Sequence, residues 1–232
     1  MSSAGRLFLV GSGQDGSLEK IGARALAETG KAAPRVAITY APIADSPEGL
    51  RVMTRLAADV FQGATLEPFA LQGEADAMEP ERARVIVERA DLVFVAGGDP
   101  VLGAKILRAA GADGWLRAAH TRGASMLGVS AGSIMLGTWW ASWPDADASD
   151  ARPLDEFANG TLVACTRVAP DLVIDCHDES SDWEELRLVK KMCDAKKIGD
   201  ELRFVGIPTG GAIVVDSLGA HEIVGKEPLY LT

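Results

Sequence analysis

Three runs in this chain are apolar along their whole length, and each meets a glycine-rich break at its carboxyl end. Leu7–Val10 runs into Gly11-Ser12-Gly13, Leu92–Ala96 into Gly97-Gly98-Asp99, and Met126–Val129 into Ser130-Ala131-Gly132. Between them, Leu18 to Thr29, Glu48 to Phe61, Pro80 to Arg89 and Ala104 to Ala119 repeat their apolar residues with a helical period. Val36–Tyr40 and Thr65–Leu71 supply two further candidate strands, and glycines near Gly111–Gly114 interrupt the last helix. A strand without a polar face must be covered on both sides. Such strands alternating with helices of about 10 to 15 residues predict a three-layer α/β sandwich with a mostly parallel central sheet. Ligands of such sheets gather at the carboxyl ends of the strands, where the glycine breaks fall.

Later segments read differently. Residues 144–159 are rich in Asp and Ala, carry Pro144 and Pro153, and read as a surface loop or flap. Leu172–Ile174 reads as a short strand, Trp183–Asp194 as a helix, and Phe204–Leu231 as strands joined by turns. The 232 residues fit one domain.

Charge and cysteine content narrow the function classes. With 33 acidic against 23 basic residues the formal net charge is −10, which argues against nucleic acid or an anionic membrane as partner. An acidic surface chiefly aids solubility, and it also suits a cationic substrate. No apolar run approaches a membrane span, and Leu7–Val10 is too short for a signal-peptide core, so the expected compartment is the cytoplasm. Cys165, Cys176 and Cys193 have neither disulfide nor zinc spacing and are expected to pack as small apolar side chains.

Gly128-Val129-Ser130-Ala131-Gly132 matches Gly-x-Ser-x-Gly. In that motif a tight strand-to-helix turn exposes the serine hydroxyl, so the flanking residues must be small. A serine there is a candidate nucleophile. The N–H of Ala131 is a candidate oxyanion donor, helped by the positive end of the following helix. The hydroxyl needs a base, and the chain has three histidines. His120 ends a helix and His221 lies in a turn. His177 follows the strand Leu172–Asp175, whose carboxyl end can bring it to the rim that carries Ser130, and it is the expected base.

Four segments in order, Gly97-Gly98-Asp99, Gly128-Val129-Ser130-Ala131-Gly132, Val173-Ile174-Asp175-Cys176-His177 and Phe204-Val205-Gly206-Ile207-Pro208, resemble the dipeptidase E and cyanophycinase family of serine peptidases. That family's fold is similar to the glutaminase domain of class I glutamine amidotransferases. The resemblance implies hydrolysis of a peptide or isopeptide bond in a small aspartyl or β-aspartyl peptide, through an acyl-enzyme and without metal or cofactor. It implies Ser130 as nucleophile, His177 as proton shuttle, and the amides of Gly98 and Ala131 as the oxyanion hole. Asp145, fifteen positions beyond Ser130, matches the family's triad acid, and Glu179, two beyond His177, is the alternative. Asp99, Asp175 and Arg187 are the expected substrate-binding residues, Arg187 through a bidentate grip on a carboxylate.

Departures from the family pattern bear on specificity. Pro100 stands where cyanophycinases have Gln, Cys176-His177-Asp178 replaces Gln-His-Phe, and Thr209 stands where a Glu is common. Cyanophycin itself is therefore not the expected substrate. Two other readings stay open: an α/β-hydrolase-type esterase with His221 as base, and a binding protein that has lost activity. Trp139, Trp140 and Trp143 can wall a pocket, form a homodimer contact or pack in the core. Gly11-Ser12-Gly13-Gln14 reads as a loop bordering the site.

Overall fold

The computed structural model describes residues 4–14, 16–72, 77–143, 160–198 and 201–231. Strands β1 (Leu7–Val10), β2 (Arg35–Thr39), β3 (Thr65–Phe69), β4 (Leu92–Val95) and β5 (Ser125–Val129) are parallel, ordered β1-β5-β4-β2-β3. Beyond β1 the sheet continues with β10 (Gly211–Val215) and β11 (His221–Gly225), each antiparallel to its neighbour, for seven strands in all.

Alternation along each strand explains the unbroken apolar runs. Leu7 and Leu9 of β1, like Val93 and Val95 of β4, belong to one core layer, while Phe8, Val10, Leu92 and Phe94 belong to the other. Helices α1 (Ser17–Glu28) and α2 (Pro47–Val60) cover the second layer. The first is covered by α3 (Pro80–Arg89), α4 (Pro100–Ala109) and α5 (Ala112–Arg122). The three-layer architecture expected from the sequence is the one observed.

The long helix expected over Ala104–Ala119 is two. Gly111 takes φ 73° and starts α5, because a left-handed residue breaks the i to i−4 ladder without the steric cost a side chain would carry. In contrast, α4 starts on a strong signal: the Asp99 carboxylate accepts from the N–H groups of Val101 and Leu102, and Pro100 occupies the first turn.

The last third does not extend the main sheet in sequence. After α6 (Ala131–Leu136), β6 (Trp139–Ser142) pairs antiparallel with β7 (Thr161–Ala164), so the tryptophan segment is a strand. The expected flap at 144–159 lies outside the described residues. Strand β8 (Leu172–Cys176) is parallel to β9 (Arg203–Ile207), and β9 is antiparallel to β12 (Leu229–Leu231), making a separate three-stranded sheet. Helix α7 (Glu184–Ala195) packs Leu186 and Val189 into the same core layer as β8 and β9. His177 thus reaches the site from a different sheet than Ser130. Among the described residues, no helix is long and apolar enough to cross a membrane.

Candidate active site

Ser130 sits between β5 and α6 with φ 53° and ψ −123°, a conformation costly for a residue with a Cβ. The glycines around it allow the bend. A Cβ on Gly132 would lie 2.0 Å from the carbonyl oxygen of Val95, and one on Gly128 would lie 2.6 Å from the Ser133 nitrogen. The Ser130 N–H donates to the Val10 carbonyl at 2.9 Å, tying the elbow to the end of β1. Ser130 is left half-buried, at the wall of a cleft.

His177 lies one residue past β8, with φ 49°, and its N–H donates to the Ile207 carbonyl at 2.9 Å. The turn brings its Nε2 to 2.7 Å from Ser130 Oγ. A hydroxyl at that distance can pass its proton to the imidazole as it attacks. The other histidines are elsewhere. His120 is half-buried in the last turn of α5, and burial holds its pKa below the usual value. His221 begins β11 as part of a strand, not a turn, and its Nδ1 is 3.3 Å from the Tyr230 hydroxyl. An esterase arrangement with His221 as base does not match this placement.

The Gly97-Gly98 loop abuts the elbow: a Cβ on Gly97 would meet Ser130 Cβ at 3.4 Å. Gly98 takes φ 141°, and a Cβ there would strike the Pro42 carbonyl oxygen at 2.3 Å. Among the described residues neither the Gly98 nor the Ala131 N–H has an acceptor, and both residues line the cleft at Ser130. With α6 only six residues long, the local amides matter more here than a helix dipole.

The cleft has a volume of about 600 Å³. Asp99 lines it while capping α4, and Asp175 lines it from the end of β8. Asp175 is 2% exposed. Its Oδ1 accepts from the Cys176 N–H at 2.7 Å, and burial, then the carboxylates of Asp178 and Glu185, push its pKa up to about 8. Glu185, in the first turn of α7, is raised to about 7 by burial, Asp178 and Glu184. Cys176 is fully packed with its thiol pushed well up, chiefly by burial, as expected of a filler.

Two expected residues are committed elsewhere. Arg187 Nε donates to the Asp182 carbonyl at 2.9 Å, and the residue lines a separate surface groove with Lys190 and Lys191. It is not among the residues lining the cleft at Ser130, because its place on α7 turns it to the solvent side. Glu179 Oε1 accepts from the Thr209 N–H at 3.1 Å. Burial acts to raise the Glu179 pKa, but hydrogen bonds from its own and the Thr209 amide outweigh it and lower the pKa overall. Asp145 lies outside the described residues. Among the described residues no side chain accepts from His177 Nδ1.

Lys105, Asp178 and Glu185 also line the cleft, and sequence reasoning assigns none of them a role there. Trp140 and Trp143 line it too, in keeping with the pocket wall that is one of their expected roles, with the two indoles edge-on at 6.4 Å between ring centroids. Glu185 offered no signal, because an acidic residue in the first turn of a helix usually reads as a solvated dipole partner.

Comparison with known proteins places this arrangement in context. A family model described as "Peptidase family S51" matches residues 7–215. The fold is similar to the crystal structure of a peptidase from an acI-B1 Actinobacterium, with a TM-score of 0.73 and 18% identity over 99% of this chain and 95% of that one. It is also similar to a putative peptidase E from Listeria monocytogenes EGD-e, with a TM-score of 0.59 and 15% identity over 99% and 98% of the two chains. No curated protein sequence matches the chain.

Proposed function

Because the chain belongs to peptidase family S51, we propose that it hydrolyses a peptide or isopeptide bond of a small peptide through an acyl-enzyme on Ser130. The single observation that carries this reading is the 2.7 Å contact between Ser130 Oγ and His177 Nε2. In the first half-reaction Oγ bonds to the scissile carbonyl carbon as its proton passes to His177 Nε2. The carbonyl oxygen takes the negative charge, and the N–H groups of Gly98 and Ala131, without an acceptor among the described residues, are the donors available to it. Collapse of this intermediate breaks the C–N bond, and His177 gives its proton to the departing amine. Water, deprotonated by the same imidazole, then releases the acyl group and restores the Ser130 hydroxyl.

Asp145 is the proposed partner that orients the imidazole, on the strength of its spacing from Ser130. The aspartyl and β-aspartyl class of substrate rests on the family resemblance. Lys105 is the one lysine or arginine among the described residues lining the cleft, and so the available partner for a substrate carboxylate.

Labelling with a fluorophosphonate probe tests the reading. Wild type is expected to be modified at Ser130, with loss of label in Ser130→Ala and in His177→Ala. Equal labelling of wild type and Ser130→Ala, or none of the wild type together with no turnover of small peptides, would exclude Ser130 as the nucleophile.

A further inference from the structure

The Gly97-Gly98 loop is braced from the side away from the cleft. A single turn of 3₁₀ helix, Ala41–Ile43, follows β2. Its Pro42 carbonyl accepts the Asp99 N–H at 2.8 Å. The same carbonyl stands hard against Gly98, where a Cβ would lie 2.3 Å from the oxygen and 2.9 Å from Ile43 Cγ2. One hydrogen bond and one close approach thus fix the plane of the Gly98–Asp99 peptide. The N–H of Gly98, on the other side of that residue, has no acceptor among the described residues and is one of the two donors offered to the oxyanion.

The turn is itself held by an acid that the Ser130 chemistry leaves unused. Ala44 and Asp45, which follow it, take φ 57° and 50°, a conformation uncommon for one residue with a Cβ and more so for two in succession. Asp45 is 1% exposed. Its Oδ2 accepts from the N–H groups of Leu71 and Gln72 at 2.8 and 3.0 Å, so the carboxylate ties the chain after β2 to the chain after β3. Its Oδ1 is buried with no hydrogen-bond partner among the described residues. A buried acid with an unpaired oxygen and two left-handed residues are costs gathered at one turn. Such costs persist where the surroundings over-determine the conformation, and they cluster at functional sites.

We propose that Asp45 is a positioning residue for the oxyanion hole: by fastening the turn after β2, it keeps the Pro42 carbonyl on the Asp99 N–H and the Gly98 N–H aimed at the oxygen that becomes charged. The proposal rests on the Ser130 peptidase reading and adds to it a residue that does not line the cleft. Asp45 touches neither substrate nor reacting atoms. Without its anchor the turn relaxes, and a donor set in place for the transition state loses its alignment. Contacts that bind the ground state elsewhere in the cleft are untouched, so the loss falls on the rate of reaction of bound ligand.

Two substitutions in the full chain test this. Asp45→Gly removes the carboxylate and takes the left-handed backbone without steric cost. Asp45→Asn keeps a carbonyl oxygen for the Leu71 and Gln72 N–H groups and tolerates that backbone too. The first readout needs no activity: amide hydrogen exchange at Asp99, followed by NMR, is expected to speed up about tenfold or more in Asp45→Gly and far less in Asp45→Asn. The Ser130 N–H, bonded to Val10, should stay protected in both, which separates a loosened loop from a loosened protein. The second readout is the saturation kinetics of fluorophosphonate labelling. Asp45→Gly should lower the maximal rate by about tenfold or more while the half-saturating concentration moves less than about threefold, and Asp45→Asn should recover most of the rate. Unchanged exchange at Asp99, a loss confined to the half-saturating concentration, or an Asn variant no better than Gly would overturn the proposal. So would failure of both variants to fold, which would make Asp45 a residue of the fold at large. A wild type that neither labels nor turns over small peptides removes the peptidase reading alone, since exchange at Asp99 still decides whether Asp45 holds the Gly98 loop.

Discussion

Val10 and Ser133 exchange two hydrogen bonds: the Val10 N–H donates to Ser133 Oγ at 3.0 Å, and that hydroxyl donates to the Val10 carbonyl at 3.0 Å. The same carbonyl accepts the Ser130 N–H at 2.9 Å. The end of β1 is thereby fastened to both sides of the elbow, by a hydroxyl with no exposure to solvent. Ser133 is thus a positioning residue for the nucleophile three places before it.

Ser133→Ala strands the Val10 N–H in the interior and removes one donor from its carbonyl. The expected cost is about 1 to 3 kcal/mol in urea unfolding. Because Ser130 is held through the same carbonyl, kcat should fall with KM little changed. A variant as stable and active as wild type would show that the exchange carries no weight.

Two glycine substitutions separate folding from catalysis. In Gly132→Ala the new methyl would lie 2.0 Å from the Val95 carbonyl oxygen and 2.8 Å from that of Ala96, both backbone atoms that cannot swing away. A loss on the order of 3 kcal/mol or more is expected, with little folded protein recovered. In Gly97→Ala the nearest atoms are Ser130 Cβ and the Val129 carbonyl oxygen, each at 3.4 Å, an ordinary contact. That variant should melt near the wild-type temperature while its labelling rate falls, since the methyl crowds the reacting face of Ser130. The reverse ranking would contradict the described approach of β4 to the elbow.

Much of this was readable in advance, and the reasons differ from place to place. The apolar runs at Leu7, Leu92 and Met126 announce a two-faced sheet because burial on both sides leaves no polar register to hide them. Gly128, Ser130 and Gly132 announce the elbow because the close backbone approaches admit nothing larger. His177 could be chosen over His120 and His221 from its place after a strand. That the strand belongs to a separate sheet was hidden, since hydrogen-bond partners leave no mark in a five-residue run. Strand β6 was hidden for a related reason: Trp139–Ser142 is ordered by pairing with β7, some twenty residues away. Asp178 and Glu185 become site residues only when β8, its turn and α7 fold their acids toward one cleft. That Arg187 lies outside the lining of that cleft was hidden as well, because sequence spacing says nothing of which side of α7 meets it.

The raised carboxyls bear on stability. Asp175 is raised to about 8 in the folded chain, chiefly by burial, against about 3.9 when unfolded. Between those values the native state holds a proton that the unfolded chain has released. Unfolding free energy therefore falls as pH rises from about 4 to about 8, and the penalty is complete above about 8. Glu185, raised to about 7, acts the same way over a narrower window. In Asp175→Asn this contribution vanishes. The stability of the variant relative to wild type is expected to increase between pH 5 and pH 9, by an amount on the order of a few kcal/mol in urea titrations. A difference that stays constant with pH would show that Asp175 is ionised throughout.

The acid that orients His177 can be assigned by a pair of isosteric substitutions. Asp145 has only its spacing from Ser130 to recommend it, whereas Glu179 has a described role: its Oε1 accepts the Thr209 N–H and so holds the loop after β9. A carboxylate spent on that loop is a poor candidate for fixing an imidazole tautomer. Asp145→Asn is therefore expected to lower kcat by about 10²- to 10⁴-fold, because an amide cannot stabilise the imidazolium that forms during attack. Glu179→Gln keeps an acceptor for Thr209 and should change kcat by less than about tenfold. If the two variants exchange these behaviours, Glu179 is the triad acid and Asp145 is not.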